Sequence, residues 1–438
     1  MPSRPEQCRV RPTLLPLLAV LLLPSRGQPD DDWQALFNGR DLSGWVSLNV
    51  APRTFSARDG MIVSTGKPTG VLRSEKQYEN FVLEMEWRHM QPQGNAGLFI
   101  WSHAMTAPGT PFCRAIEVQV LDGLNSDTYT SHGDVFAIHG AVMTPDRPHP
   151  RGAMRCLPSE SRCKPSPEWN HYRVECNNGV IKLAVNGKVV SGGTMCNPRK
   201  GYLCIESEGS EAHFRNLRIR ELPTSNPAPE NVAPLAQPWR NLYSGVDLSN
   251  WQSDPSNRKH WLVKDWILEG SGMDDPFAMR LPTKEQFGNF ELICDWRLTQ
   301  PPTKRTVPAI LTDGADGPDV TIEDAGQGAL QLRGHPLAEI ALWSNNCGSG
   351  ALNNLRRITT DDKAMRASAV PRIRADNPPG QWNRFRITLR GEIISVRLND
   401  QLVIDRARIP DLPARGPIEL IKLGTPVQFA NLLLLELP

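Results

Sequence analysis

The sequence predicts an all-β protein: two tandem β-sandwich (jelly-roll) domains joined by a Pro-rich linker. Three observations carry this: hydrophobic alternation with a period of two, an internal repeat along the chain, and punctuation by 34 Gly and 39 Pro among 438 residues. Breakers at that density leave little room for long helices. The 12 Trp and 12 Phe are spread along the chain and supply core-forming material, which argues against disorder. A net charge of +2 without a basic stripe gives no electrostatic case for a nucleic-acid partner.

The alternation is plain in several runs. Phe81, Leu83, Met85 and Trp87 point one way while Glu84 and Glu86 point the other. Ile116, Val118 and Val120 alternate with Glu117 and Gln119, and Phe214, Leu217 and Ile219 mark a further strand. Ile181, Leu183 and Val185 run into Asn186-Gly187, a strong hairpin signal. No stretch of comparable length shows a 3.6-residue period. So many short strands imply two packed antiparallel sheets per domain.

The repeat fixes the domain plan. Leu36-Phe-Asn-Gly-Arg-Asp-Leu-Ser-Gly-Trp45 matches Leu242-Tyr-Ser-Gly-Val-Asp-Leu-Ser-Asn-Trp251, and the run from Asn80 to Arg88 matches that from Asn289 to Arg297. Trp169-Asn170 matches Trp382-Asn383, and Gly201 to Asn216 aligns without a gap on Gly416 to Asn431. Matches that keep their order over such lengths indicate a tandem duplication rather than a solenoid. The predicted units are residues 29–222 and 239–438, with 223–238 as a stiff linker.

Residues 1–28 read as an export signal: Arg4, Arg9 and Arg11 precede the apolar stretch from Leu14 to Leu23, which is short for a membrane span. The expectation is a periplasmic or extracellular protein with no membrane attachment after cleavage. Of the 9 cysteines, Cys8 lies in this leader and the others are even in number. Disulfides are their natural use in an oxidising compartment, with Cys156–Cys163 the leading pair, and buried free thiols are the alternative for Cys176, Cys204 and Cys294.

A sandwich leaves one face of each sheet free, so polar residues alternating along a strand mark a candidate groove. Glu117 and Gln119 do so on one strand, which Asp122 ends; Glu206 and Glu208 share a face with Cys204 on another. Their ordinary role would be a solvated strand face. Company raises their interest: Asn95, Trp101 and Asn125, with His132, Asp134 and His139 in a long turn-rich insertion. No cofactor motif occurs. Asp122, His132, Asp134 and His139 offer ligands to a divalent cation, although without tight spacing such as H-x-x-x-H. Gly94-Asn-Ala-Gly97 is expected as a turn leading into a strand, and no G-x-S-x-G elbow signals a serine hydrolase.

Six segments in register, Leu36 to Trp45, Gly94 to Ile100, Glu117 to Asp122, Trp169 to Arg173, Val185 to Gly187 and Phe214 to Ile219, resemble the 3-keto-disaccharide hydrolase domain family. The second copy resembles another branch of it, through the runs from Ala375 to Asn383 and from Gly416 to Leu420. That resemblance implies a concanavalin A-like (glucanase-like) sandwich and action on sugars oxidised at C3. A C3 ketone acidifies the C2 proton, so a side-chain base can remove it and the C1 leaving group departs. Such a site needs a base, an acid and polar groups facing the C3 oxygen.

By motif position and polarity together, Glu117 and Asp122 are the leading candidates for proton transfer, with His139 and Glu206 as further ones, and Arg73, Asn95, Gln119 and Trp101 are the candidates for substrate binding. The repeat adds an internal comparison. Glu117 is matched by Glu339, but Asp122 aligns with Ser344, Glu206 with Ile421 and Glu208 with Leu423. Apolar residues cannot move protons, so catalysis is expected in the first copy and the second is expected to be degenerate. The expected partner is a carbohydrate. The leading reading is an exported hydrolase or lyase of 3-keto-glycosides; the alternatives are a lectin-like binding protein and a structural surface module. Oligomeric state is left open by the sequence.

Overall fold

The computed structural model describes residues 1, 32–122, 131–271, 278–343, 345–359 and 361–438. The predicted leader, Asn125 and Ser344 fall outside the described residues. Among those described, no helix is long and apolar enough to cross a membrane.

The first copy is two antiparallel sheets face to face. One has nine strands, in the order Val142–Pro145, Lys188–Asn197, Val180–Val185, Asn170–Asn177, Phe81–His89, Ala212–Glu221, Met61–Ser64 and Phe55–Arg58, with Gln34–Ala35 pairing Ala212–Glu221. The other has seven: Arg155–Cys156, Val135–Ile138, Ala115–Leu121, Asn95–Ser102, Gly201–Ser207, Gly70–Tyr78 and Trp45–Leu48. Hairpins alternate with long-range pairings, such as Phe81–His89 with Ala212–Glu221 and Gly70–Tyr78 with Gly201–Ser207, so the sheets close only when the whole copy has folded.

Alternation decides which face is buried. Phe81, Leu83, Met85 and Trp87 from one sheet meet Ile116, Val118 and Val120 from the other in a single core. Burying each such side chain contributes roughly 1.5–3 kcal/mol. Trp87 packs edge-on against Tyr172 at 5.3 Å between ring centroids. The Tyr172 hydroxyl crosses the core to donate to the Gln119 carbonyl at 2.8 Å, tying the two layers together. The predicted hairpin is present: Val185 pairs with Lys188, and Asn186 and Gly187 both have positive φ, at 46° and 88°. A two-residue turn of that hand matches the twist of the flanking strands.

Two expectations are corrected by the packing. Trp101, expected as a sugar platform, is fully buried between the sheets, with its Nε1 donating to the Glu79 carbonyl at 2.7 Å. Its strand slips register against Gly201–Ser207, and Trp101 has a φ of 53°, so the alternation breaks and the ring turns inward. The Cys156–Cys163 bridge is also absent, and Cys113, Cys156, Cys163, Cys176, Cys196, Cys204, Cys294 and Cys347 are all free. Cys156 lies in the core of the sandwich, whereas Cys163 turns to the Tyr172 hydroxyl at 3.8 Å. Cys176, Cys204 and Cys294 are buried thiols, as the alternative reading held, and burial pushes all three well above the ordinary thiol range.

The second copy repeats the plan with an eight-stranded sheet centred on Phe290–Leu298, Asn383–Arg390 and Val427–Glu436. Its opposing sheet has four strands: Ala278–Pro282, Glu419–Leu423, Gln327–Gln331 and Glu339–Leu342. Asn399 and Asp400 form the turn equivalent to Asn186-Gly187. The segment between the copies lies along the first one, where Ala233 N donates to the Lys200 carbonyl at 2.8 Å. The copies also touch directly: Thr69 donates to the Asp265 carboxylate from its backbone N at 2.7 Å and its hydroxyl at 2.6 Å.

Because Trp101 is core, Trp101→Ala should destabilise the first copy by about 3–5 kcal/mol in urea denaturation. A variant that unfolds at the wild-type urea concentration while losing sugar affinity would instead restore the platform role.

Candidate active site

The outer face of the seven-stranded sheet carries Asn95, Gly97 and Phe99 on one strand, Glu117 and Gln119 on the next, and Cys204 and Glu206 on the other neighbour. Phe99 lies opposite Glu117 and opposite Cys204, so Glu117 and Glu206 approach the central strand from opposite sides. They converge over Gly97. A Cβ at that position would lie 2.7 Å from Glu206 Oε2 and 2.9 Å from Glu117 Oε1. The two carboxyls thus face each other across the space of one missing methyl. A glycine inside a strand costs pairing strength, and here it is what lets the groups meet.

Glu208 and Asn95 complete the cluster at its half-buried edge. Asn95 Nδ2 donates to Glu208 Oε2, Gln119 Nε2 donates to Asn95 Oδ1 at 2.7 Å, and Glu208 is hydrogen-bonded to Glu206. Glu206 Oε2 has no hydrogen-bond partner. On the far side, Arg155 pairs with Asp134 at 2.6 Å, both buried, and its guanidinium covers the Phe136 ring at 3.4 Å.

The electrostatics follow from crowding without water. Burial pushes Glu117 up to about 8; the charges of Glu208 and Asp134 add to this and Arg155 opposes it. Glu206 is driven well above the carboxylate range by burial, then by Glu117 and Glu208. Glu208 is raised by burial, but hydrogen bonds from Glu206 and Asn95 hold it back. These directions describe a cluster in which Glu206 keeps its proton and donates to Glu208. A neutral acid, Glu206, then stands beside its hydrogen-bond acceptor Glu208, while Glu117 takes on its charge only as the pH approaches 8.

Glu117, Glu206, Asn95 and Gln119 are therefore brought together, and the other expected residues are not. Asp122 follows the parity of Ile116, Val118 and Val120, leaves the strand on the core side and accepts from Ser166 N at 3.0 Å. His139 bonds Thr110 Oγ1 at 3.3 Å and packs beside Phe112; burial lowers its pKa and keeps it neutral. Arg73 donates to the Ser74 carbonyl at 2.7 Å and stacks on Tyr202 at 4.3 Å. Nor do Asp122, His132, Asp134 and His139 form a cation site. His132 bonds Ser161 at 2.8 Å, Asp134 is held by Arg155 and Ser131, and among the described residues no group of three or more His, Cys, Asp or Glu is arranged to hold a metal ion.

Sequence reasoning placed Glu208 on the right face without assigning it, and missed Gly97 and the Arg155–Asp134 pair. The run from Gly94 to Gly97 does begin a strand, but Gly97 lies within it, and a glycine there was the available signal. Nothing in the sequence announces Arg155, which sits in a two-residue strand.

The second copy shows what the cluster requires. Glu339 occupies the Glu117 register, opposite Gln331, which is itself opposite Glu419. Two residues along, Ala329 pairs with Ile421, so a methyl and an aliphatic side chain replace Gly97 and Glu206. Arg280 reaches Glu419 at 3.1 Å, Glu339 at 3.6 Å and Gln331 at 2.7 Å. A guanidinium thus bridges the two carboxylates of the second copy, although burial still raises Glu339.

Comparison with known proteins agrees with the internal repeat. Among solved structures, a protein from Parabacteroides distasonis described as a candidate glycosyl hydrolase is 22% identical over 45% of this chain and 99% of its own, with a TM-score of 0.34. The carbohydrate-binding module CBM66 from Bacillus subtilis is 11% identical over 40% of this chain and 94% of its own, with a TM-score of 0.29. The β-glucanase of Bacillus licheniformis is 13% identical over 43% and 92%, with a TM-score of 0.26. No curated protein matches the chain. The model of the 3-keto-alpha-glucoside-1,2-lyase-like domain matches residues 32–220 and again 238–434, so this chain belongs to that family and carries its domain twice.

Proposed function

We propose that the first copy cleaves 3-keto-glycosides, as a carbohydrate-active hydrolase or lyase, by taking the C2 proton and releasing the C1 leaving group. The observation that carries this is the convergence of Glu117 and Glu206 over Gly97, with Glu208 and Asn95 at the open edge. Membership of the family supports the substrate class.

In this reading Glu117 is the base. A carboxylate whose conjugate acid is raised to about 8 is far stronger than an exposed one, and it is matched to a C–H acidified by the neighbouring ketone. Glu206, which holds its proton most firmly, gives it to the departing glycosidic oxygen. Glu208 supplies the charge that orients that proton, and the Asn95 and Gln119 amides lie beside them to position the sugar. Water added later to the unsaturated product yields the hydrolysed 3-keto-sugar; without that addition the enzyme is a lyase.

A second reading, carbohydrate binding without turnover, is favoured by a different surface. A cavity of about 560 Å³ on the outer face of the nine-stranded sheet is lined by Glu84, Glu86, His171, Asn216 and Arg218. Its carboxylates are already paired, Glu84 with Arg173 and Arg218 and Glu86 with Arg215, which suits hydrogen bonding to hydroxyls rather than proton transfer. Titration calorimetry beside a turnover assay on 3-keto-glucosides separates the two, since binding without product supports the lectin.

Three outcomes test the catalytic reading. Turnover of a 3-keto-glucoside should rise with pH through a midpoint near 8 as Glu117 ionises and level off only above it; a profile flat from pH 5 to 9 would remove it as the base. Glu117→Gln should lose about 10²–10⁴-fold in kcat/KM, yet gain stability. A carboxyl raised on folding binds its proton more tightly in the native state, so stability falls as pH climbs from the unfolded value of 4.5 towards 8. The amide escapes that loss, and its denaturation midpoint should exceed the wild type's at pH 8 and match it at pH 4. Gly97→Ala should cost about 100-fold in rate by separating the carboxyls, and unchanged kinetics would show that their contact is immaterial.

A further inference from the structure

The two copies are not merely tethered. Residues 103–112 leave the outer face of the first copy's seven-stranded sheet and dock into the second copy, on the outer side of its eight-stranded sheet. There Asp295, fully buried, accepts from Gly109 N at 2.8 Å, from Arg384 Nε at 2.6 Å and Nη2 at 2.8 Å, and from Asn431 Nδ2 at 2.6 Å. Arg384 Nη1 donates in turn to the Thr106 carbonyl at 2.9 Å, and Asn431 Nδ2 to the Thr110 carbonyl at 3.0 Å. Gly109 has a φ of 68°, and a Cβ on it would strike Trp382 at 2.4 Å. With a longer bond from Asn431 Nδ2 to the Ala107 carbonyl at 3.4 Å, three side chains of one copy hold four backbone groups of the other, and no side chain of the loop is needed.

The inner side of the same loop covers the apolar surface that borders the candidate site. Phe112 meets Phe99 edge-on at 5.7 Å, and with Cys113 it joins an apolar cluster of Leu48, Val71, Phe99, Ala115 and Cys204 on that outer face. Phe99, Ala115 and Cys204 each stand two residues from Gly97, Glu117 and Glu206, on the same faces of the same strands. Water let in beneath Phe112 would reach the carboxyls next.

We propose that the second copy is a clamp: Asp295, with Arg384 and Asn431, holds residues 103–112 down on the apolar patch that borders the first copy's carboxyl cluster and so keeps water from the carboxyls. Asp295 is then a positioning residue, acting through the loop rather than on substrate. The catalytic consequence rests on the function proposed above, but the clamp does not. Around Glu117 the charged groups are Glu206 and Glu208 on one side and Asp134 and Arg155 on the other, with Asp265 of the second copy acting on Glu208. None of them is altered by the variants below.

The test uses the full chain with Gly109→Ala, which wedges the loop from Trp382, and Asp295→Asn, which weakens the anchor. Amide hydrogen exchange over residues 103–112 should accelerate about tenfold or more in both. Infrared absorption of protonated carboxyls, followed from neutral to alkaline pH, should show its midpoint falling by about one pH unit or more, towards the ordinary carboxylate value. Unchanged exchange, or faster exchange with an unmoved midpoint, would overturn the clamp. If Asp295→Asn fails to fold, Gly109→Ala decides, since it leaves the Asp295–Arg384 pair in place. Neither readout needs substrate: a wild type inactive on 3-keto-glycosides would remove the catalytic reading and leave the clamp standing.

Discussion

Two carboxyl groups forced together out of water are the constraint on which this molecule turns. Neither Glu117 nor Glu206 could be both buried and ionised beside the other at acceptable cost, so at least one proton is retained between them. The strand alternation that faces them outward and the glycine between them both serve that one arrangement. Burial of this kind works against stability at neutral pH, and the cores of both copies, rich in aromatic residues, supply the margin.

The fold was legible because its determinants are local and periodic. Alternation named the faces of Phe81–His89 and Ala115–Leu121 correctly, and Asn186-Gly187 marked a turn whose backbone hand only a few residues accept. The duplication was legible because it is written in register along the chain. Half of the site followed from the same logic, since Glu117, Gln119 and Glu206 lie at alternating strand positions and Asn95 sits on the strand between.

The rest failed for identifiable reasons. Asp122 was grouped with Glu117 by proximity in sequence, although an odd separation along a strand puts two residues on opposite faces. Trp101 looked available until a register slip turned it inward, and no pattern in the sequence signals such a slip. His139 sits on the outer side, yet it serves the loop that carries Thr110 and Phe112. The cysteines were read from the expected compartment, whereas their placement follows packing: most occupy strand positions where a small apolar side chain fits.

The pairing of Ala329 with Ile421 in the second copy carries an evolutionary consequence. Restoring glutamate alone at Ile421 would press a carboxyl against the Ala329 methyl with Arg280 nearby to capture it, and restoring glycine alone would hollow out a packed spot. Each single reversal is unfavourable, and only the double change regains the arrangement of the first copy. With neither single exchange favoured on the way to the other, the two halves of the duplicated chain are held apart by a ratchet, and the second is free to vary only in what its surface can hold.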